Sequence, residues 1–253
     1  MGAALSGGYR ERPARLDGAV VWTVPGGRPP GAASPVLPDG CMDLLWNEGR
    51  LLVAGPDTRA HAPGGGAGPW AGVRFAPGDA PTLLGVPARV LRDRCVDLAD
   101  LWPADRVRRL TARVARAAGA DPAGALEEAA VALAADAPRP DPLLRAVTAG
   151  LGAGWSVAAT ADATGLGPRT LHRRSLDAFG YGPKTLARIL RLRRALRLVD
   201  AGAPYAAVAV RAGYADQPHL AREVRALTGR PLSAYAASAN SSTPRPSGSS
   251  TTA

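Results

Sequence analysis

The sequence has little of what most specialised chemistry requires. Two cysteines, Cys41 and Cys95, are too few for a disulfide scaffold, and no CxxC or HxxxH spacing accompanies them, so no metal site is assigned. No catalytic residue and no cofactor are assigned either. Lysine is almost missing: Lys184 is the only one among 31 basic residues. That arginine dominance, with abundant Ala, Gly and Pro, reflects coding composition more than function. No apolar run approaches the ~18–20 residues that a membrane span needs. Residues Met1 to Tyr9 lack a basic region followed by a long apolar core, so a soluble cytoplasmic protein with no membrane partner is expected.

What is present is charge, and it is unevenly spread. The net charge of +10 divides into 16 arginines and 16 acidic residues over 1–142, then 13 arginines, Lys184 and 5 acidic residues over 143–238, with Arg245 beyond them. All the basic excess lies in the second half and tail. A charge run is usually a solvated face. Segregation on this scale points instead to a polyanion, because neutralising phosphates drives non-specific affinity for nucleic acid.

The second half has a pattern that suits such a partner. Val157 to Thr164 is a short small-residue segment, Gly165-Leu-Gly167 a turn, and Pro168 to Phe179 a segment opened by proline at its first helical position. That order predicts a helix-turn-helix. Leu171, Ser175 and Phe179 share one face at i, i+4 and i+8, while Arg169, His172, Arg173 and Leu176 share another. The same grammar returns about fifty residues later. Tyr205 to Ala212 is the supporting helix, Gly213 turns the chain, and Asp216 N-caps a helix from Gln217 to Thr228 that Gly229 and Pro231 stop. There Leu220, Val224 and Leu227 form the apolar stripe, and Pro218, His219, Arg222 and Arg225 face outward. Between the two units, Pro183 to Val199 reads as one helix roughly 25–30 Å long, close to the ~34 Å between successive major grooves on one face of B-DNA.

The first hundred residues read as β-rich. Strands are expected at Ala19 to Val24, at Cys41 to Trp46, at Arg50 to Ala54 and at Trp70 to Phe75, with a hairpin turn at Asn47 to Gly49. Glycine- and proline-rich loops fill Pro25 to Pro35 and Pro56 to Pro69. Short helical turns at Pro81 to Asp93 and helices at Ala104 to Ala118 and Pro122 to Ala135 should follow. The fold class is therefore α+β: a β-rich N-terminal domain with trailing helices, then an all-α domain of two helix-turn-helix units. The expected bounds are 1–135 for the first domain, 136–142 for a proline-rich linker, 143–238 for the second, and 239–253 for a disordered tail.

The words GLGPRTLHRR, GYGPKTLARILRLRRAL and RAGYADQPHLAREVRALTGRPLSAY strongly resemble the DNA-binding domain of the AraC/XylS family of bacterial transcription regulators. Ser175 departs from it, standing where the family usually carries a large apolar residue. VLPDGCMDLLWN, LLVAGPDT and GVRFAPGDAPTLLGVPARVLRDRCVDLADLW look like an N-terminal domain that often precedes this unit in actinobacterial and related regulators. The resemblance implies a cytoplasmic activator or repressor that reads an operator in double-stranded DNA, with RNA polymerase and a small-molecule effector as further partners. It leaves the effector's identity and the oligomeric state open.

The resemblance makes Arg169, His172, Arg173, Pro218, His219 and Arg222 the base-reading candidates, since arginine can donate two bonds to a guanine edge. Pro218 offers only apolar contact. Thr170, Lys184, Thr185, Gln217 and Arg225 are the phosphate candidates; Lys184 and Thr185 begin the linker helix, where free amides and the helix dipole favour an anion. Arg191 and Arg194 are expected to decorate the outer face of that helix. Two other readings remain: a DNA-binding domain fused to a cysteine-dependent alkyl-transfer enzyme using Cys41 or Cys95, and a constitutive DNA-binding protein with no effector. Asp39, Cys41, Asp43, Asp57 and His61 are the only cluster in the first half that hints at chemistry.

Overall fold

Six short strands make one antiparallel sheet in the order β1-β2-β5-β3-β4-β6: β1 (Arg10–Pro13), β2 (Val20–Val24), β3 (Asp43–Asn47), β4 (Arg50–Ala54), β5 (Trp70–Arg74) and β6 (Cys95–Asp97). The computed structural model describes residues 8–26, 35–62, 68–119 and 121–235. The tail expected from 239 onward, and parts of both glycine- and proline-rich loops, lie outside them. The central hairpin forms as the sequence predicts. Glu48 and Gly49 take φ of 46° and 81°, the double left-handed turn whose twist matches paired strands. Strand β3 starts at Asp43, two residues later than expected, because Gly40 turns the chain at φ 85° and the Asp39 carboxylate accepts the Cys41 amide at 2.8 Å. At the other end of the sheet, Trp22 stands opposite Gly72, and a Cβ there would lie 2.2 Å from the indole, so only glycine lets the ring cross β5.

Leu44, Trp46, Leu51, Val53, Val21, Ala71 and Val73 line one sheet face and form the first core. Two helices cover it. Helix α2 (Ala104–Ala117) supplies Val107, Leu110 and Val114 at helical spacing, and α3 (Pro122–Ala135) supplies Leu126 with a row of alanines that lets it lie close to the strands. Asp121 caps α3 by accepting the Gly124 amide at 2.8 Å. A single-turn helix, α1 (Ala80–Leu84), and a 3-10 turn at Ala88–Val90 occupy the stretch where short helical turns were expected.

The rest is helical: α4 (Pro142–Ala153), α5 (Val157–Thr164), α6 (Pro168–Phe179), α7 (Pro183–Asp200), α8 (Tyr205–Ala212) and α9 (Gln217–Thr228). Two cores meet along α7. Its first half gives Leu186 and Ile189 to a core shared with α4, α5 and α6, and its second half gives Leu192, Ala195, Leu196 and Val199 to one shared with α8 and α9. One rigid helix therefore belongs to both units.

Candidate nucleic-acid interface

The first unit is built by local signals. Ser156 opens α5 by accepting the Ala159 amide at 3.0 Å, Gly165 ends it at φ 65°, and Pro168 opens α6. Leu171, Ser175 and Phe179 are fully buried, so the predicted packing face is the one that packs. Ser175 fits there at a cost, since its hydroxyl is buried with no hydrogen-bond partner. On the opposite face Arg169, His172 and Arg173 are exposed, Thr170 is half-buried, and Leu176 is half-buried as well. The His172 ring lies on Gly182, where a Cβ would stand 2.8 Å from it, so the loop before α7 steers this side chain.

In the second unit the side-chain cap lies on the recognition helix itself. Asp216 accepts the His219 amide at 2.6 Å, and Leu220, Val224 and Leu227 are buried as predicted. Gln217, Pro218, Arg222 and Arg225 are exposed. His219 differs from its expected outward pose. It is half-buried, edge-on to Tyr214 at 5.3 Å between ring centroids, and its Nδ1 sits 3.3 Å from the Ala215 amide as acceptor, which leaves Nε2 for any ligand.

Along α7, the arginines that looked decorative hold the two units together. Arg188 makes two bonds of 3.0 Å to Glu223 of α9, and this guanidinium holds the Glu223 carboxyl below the usual range. Arg191 lies 4.5 Å over the Tyr214 ring and 3.6 Å from Glu223. Arg194 donates to the Gly152 carbonyl of α4 and to the Ala212 carbonyl of α8 at 3.4 Å, bridging both units. Arg191 and Arg194 are therefore fasteners, contrary to the expectation of an outer decoration. Their partners lie 18 to 42 residues away in sequence, beyond any local pattern. Lys184 is exposed and Thr185 half-buried at the start of α7, whose first turn no side chain caps.

Pairing separates the arginines into two classes. Arg174, Arg188 and Arg191 have carboxylate partners. Arg169, Arg173, Arg222 and Arg225 have none among the described residues, so the charge on both recognition helices is uncompensated and turned outward.

The N-terminal domain grips both helices from their far ends. Arg92 donates to the Gly180 carbonyl at 3.4 Å, Arg89 pairs with Asp177, and the Phe179 ring lies against Gly78. The Ala60 amide donates to the Leu227 carbonyl of α9 at 2.7 Å. Between these points Arg193 of α7 reaches the Asp39 carbonyl at 3.3 Å. Asp39 and Asp43 flank the buried Arg74 guanidinium at 3.3 and 3.5 Å; burial opposes its charge, and the two carboxylates more than offset that. The cluster that hinted at chemistry is thus divided: two of its members hold Arg74, Asp57 pairs with His61 at 2.9 Å, and Cys41 is buried. Burial pushes the Cys41 thiol up, and Cys95 is shifted the same way, so neither has the depressed pKa of a reactive thiolate. No group of His, Cys, Asp or Glu among the described residues is arranged to hold a metal, and no described helix is long and apolar enough to cross a membrane.

Residues 160–238 match the family model described as a helix-turn-helix domain. The C-terminal domain is of the AraC type. Residues 19–97 match a second model, a domain of unknown function named DUF6597. Its helix-turn-helix domain makes the chain a DNA-binding transcription regulator. No curated protein matches it. Among solved structures, a probable AraC family transcriptional regulator from Rhodopseudomonas palustris is 23% identical, covering 41% of this chain and 100% of its own, with a TM-score of 0.33. An apo variant of ToxT from Vibrio cholerae is 9% identical over 88% of this chain and 98% of its own, with a TM-score of 0.46. ToxT bound to (E)-4-(8-methylnaphthalen-1-yl)but-3-enoic acid is 7% identical over 92% and 99%, also at 0.46.

Proposed function

We propose that this regulator reads a specific operator with α6 and α9 in adjacent major grooves of one duplex, and that its N-terminal domain tunes the grip. The observation that carries the reading is the pair of outward arginine faces without carboxylate partners, mounted on the two ends of one helix. At 1.5 Å per residue, α7 is about 27 Å long, near the ~34 Å groove repeat. Arg169, His172 and Arg173 meet base edges in one groove, and Pro218, His219 and Arg222 meet them in the next. Each bidentate arginine contact contributes ~1–3 kcal/mol of discrimination. Thr170, Lys184, Thr185, Gln217 and Arg225 hold phosphates, with Lys184 at an uncapped helix start where an anion is favoured.

The working division is 1–135 for regulation, 136–142 for the connection and 143–238 for DNA. Tuning follows from where the first part touches the second. Contacts at Asp177, Gly180 and Leu227 sit at the C-terminal ends of the recognition helices, so a ligand that shifts the N-terminal domain shifts the angle at which both helices enter DNA. Footprinting on a bound genomic fragment tests the reading. Two protected major-groove patches about one helical turn apart are expected, and uniform protection with no boundary would overturn it.

A further inference from the structure

Unpaired arginines also gather on a helix in the other domain. Outside one helix, six of the nine described arginines of the N-terminal domain are neutralised in place, Arg12 and Arg15 by Glu127, Arg50 by Asp97, Arg74 by Asp39 and Asp43, Arg89 by Asp177 and Arg92 by Asp93, while Arg10, Arg59 and Arg94 stand singly without a carboxylate partner. Helix α2 is where unpaired arginines cluster. Its sequence ADRVRRLTARVARA carries Arg106, Arg108, Arg109, Arg113 and Arg116, all exposed, against one acidic residue, Asp105, which pairs with Arg109 at 2.8 Å. Arg106, Arg108, Arg113 and Arg116 have no carboxylate partner among the described residues.

Geometry gathers these charges. At 3.6 residues per turn, the unpaired Arg106, Arg113 and Arg116 fall with the Asp105-paired Arg109 within roughly 80° of arc and about 15 Å of length, and Arg108 stands on the flank of that stripe. Val107, Leu110 and Val114 on the other side are buried against the sheet, so the stripe cannot turn inward. Arg106 is also pre-positioned: its guanidinium lies 3.5 Å over the Trp102 ring, and the Trp102 indole is fixed by donating to the Leu84 carbonyl at 2.7 Å. An ordinary solvated face has mixed signs, as the rest of this domain has. Here residues 1–142, with no net charge, place four unpaired arginines on one helix.

We propose that α2 is a second DNA surface, one that binds the phosphate backbone of the duplex flanking the two half-elements. The inference rests on the DNA-binding reading of α6 and α9. Charge complementarity favours DNA because about 15 Å of duplex carries roughly nine phosphates, enough to engage the whole stripe. The flanking segment is favoured over a separate one because, once α6 and α9 have docked, it is held nearby at high effective concentration, which a weak electrostatic surface requires. The contact carries no sequence information; it adds affinity and sensitivity to salt.

The test compares the full chain with a variant carrying Arg106→Gln, Arg108→Gln, Arg113→Gln and Arg116→Gln, after thermal unfolding has shown equal stability. Affinity is measured against salt on a duplex limited to the two half-elements, on one extended by about two turns each side, and on a motif-free duplex of the longer length. On the two longer duplexes the slope of log K against log salt is expected to fall by roughly 2–4 in the variant, at ~0.9 for each phosphate that is no longer neutralised, with no change on the short one. A control with Arg10→Gln and Arg139→Gln, which lowers net charge away from α2, should leave all slopes within about one unit. Equal slopes for wild type and variant on the longer duplexes would overturn the proposal, as would an equal drop on short and long. A wild type that binds all three without preference would sink the operator reading alone, since the motif-free duplex still reports on α2.

Discussion

The two helix-turn-helix units share a plan and differ in how they are secured. Unit two is held mainly from within: Asp216 caps α9, Glu223 of α9 binds Arg188 and Arg191 of α7, and the N-terminal domain adds the Ala60 to Leu227 backbone bond and Leu37 packed against the core. Unit one has no side-chain cap on α6, buries the unpaired Ser175 hydroxyl in its core, and is braced from outside by Arg89, Arg92 and the loop at Gly78. The difference teaches where control can act. A unit with more ties of its own responds less to the neighbouring domain, whereas a unit that borrows its bracing is more readily loosened through that domain.

The strongest way to break the comparison is in the core of unit two. Leu220→Ala removes a fully buried side chain and should cost ~2–5 kcal/mol. Hydrogen exchange should then rise in α8 and α9 well before α6; equal loosening of both would mean that the units do not differ. Ser175→Ala removes a buried hydroxyl that has no partner, so it should leave stability unchanged or raise it by about 1 kcal/mol in thermal unfolding. A loss above that would show a hidden partner.

Helices and caps were legible because their signals are local. Pro168, Asp216, Pro122 and the glycines at 165 and 229 mark element ends at the predicted residues. Strands β1 and β6 were missed. One is four exposed residues ending in proline, the other three residues long, and neither shows the alternation that reveals a strand. The sheet order was hidden because β2 pairs with β5, some fifty residues on, across an inserted hairpin. Of the candidate interface, the exposed arginines were readable from helical spacing, while the bracing roles of Arg191 and Arg194 and the turned-in ring of His219 depend on distant partners or on packing.

Two smaller effects sharpen the contrast. Replacing Arg89 and Arg92 with alanine removes half-exposed contacts worth at most ~1 kcal/mol together, yet it should speed exchange at the C-terminal end of α6 and leave α9 unchanged. The brace on α9 should depend on pH. Donation from His61 Nε2 to the Asp57 carboxylate raises the His61 pKa from the usual 6.5 to about 9, so the pair stabilises fully below about 6.5 and is lost as pH rises through 9. Thermal unfolding of wild type and His61→Gln should therefore differ at pH 6 and converge by pH 10; a constant gap would contradict this.

The most direct test is selection of bound sequences from a random duplex library with wild type, Arg173→Ala and Arg222→Ala. Two half-elements about one helical turn apart, with each alanine relaxing only its own half, is the result expected of two reading helices on one rigid spacer. An enriched motif that neither substitution alters, or strongly salt-dependent binding with no motif, would contradict it.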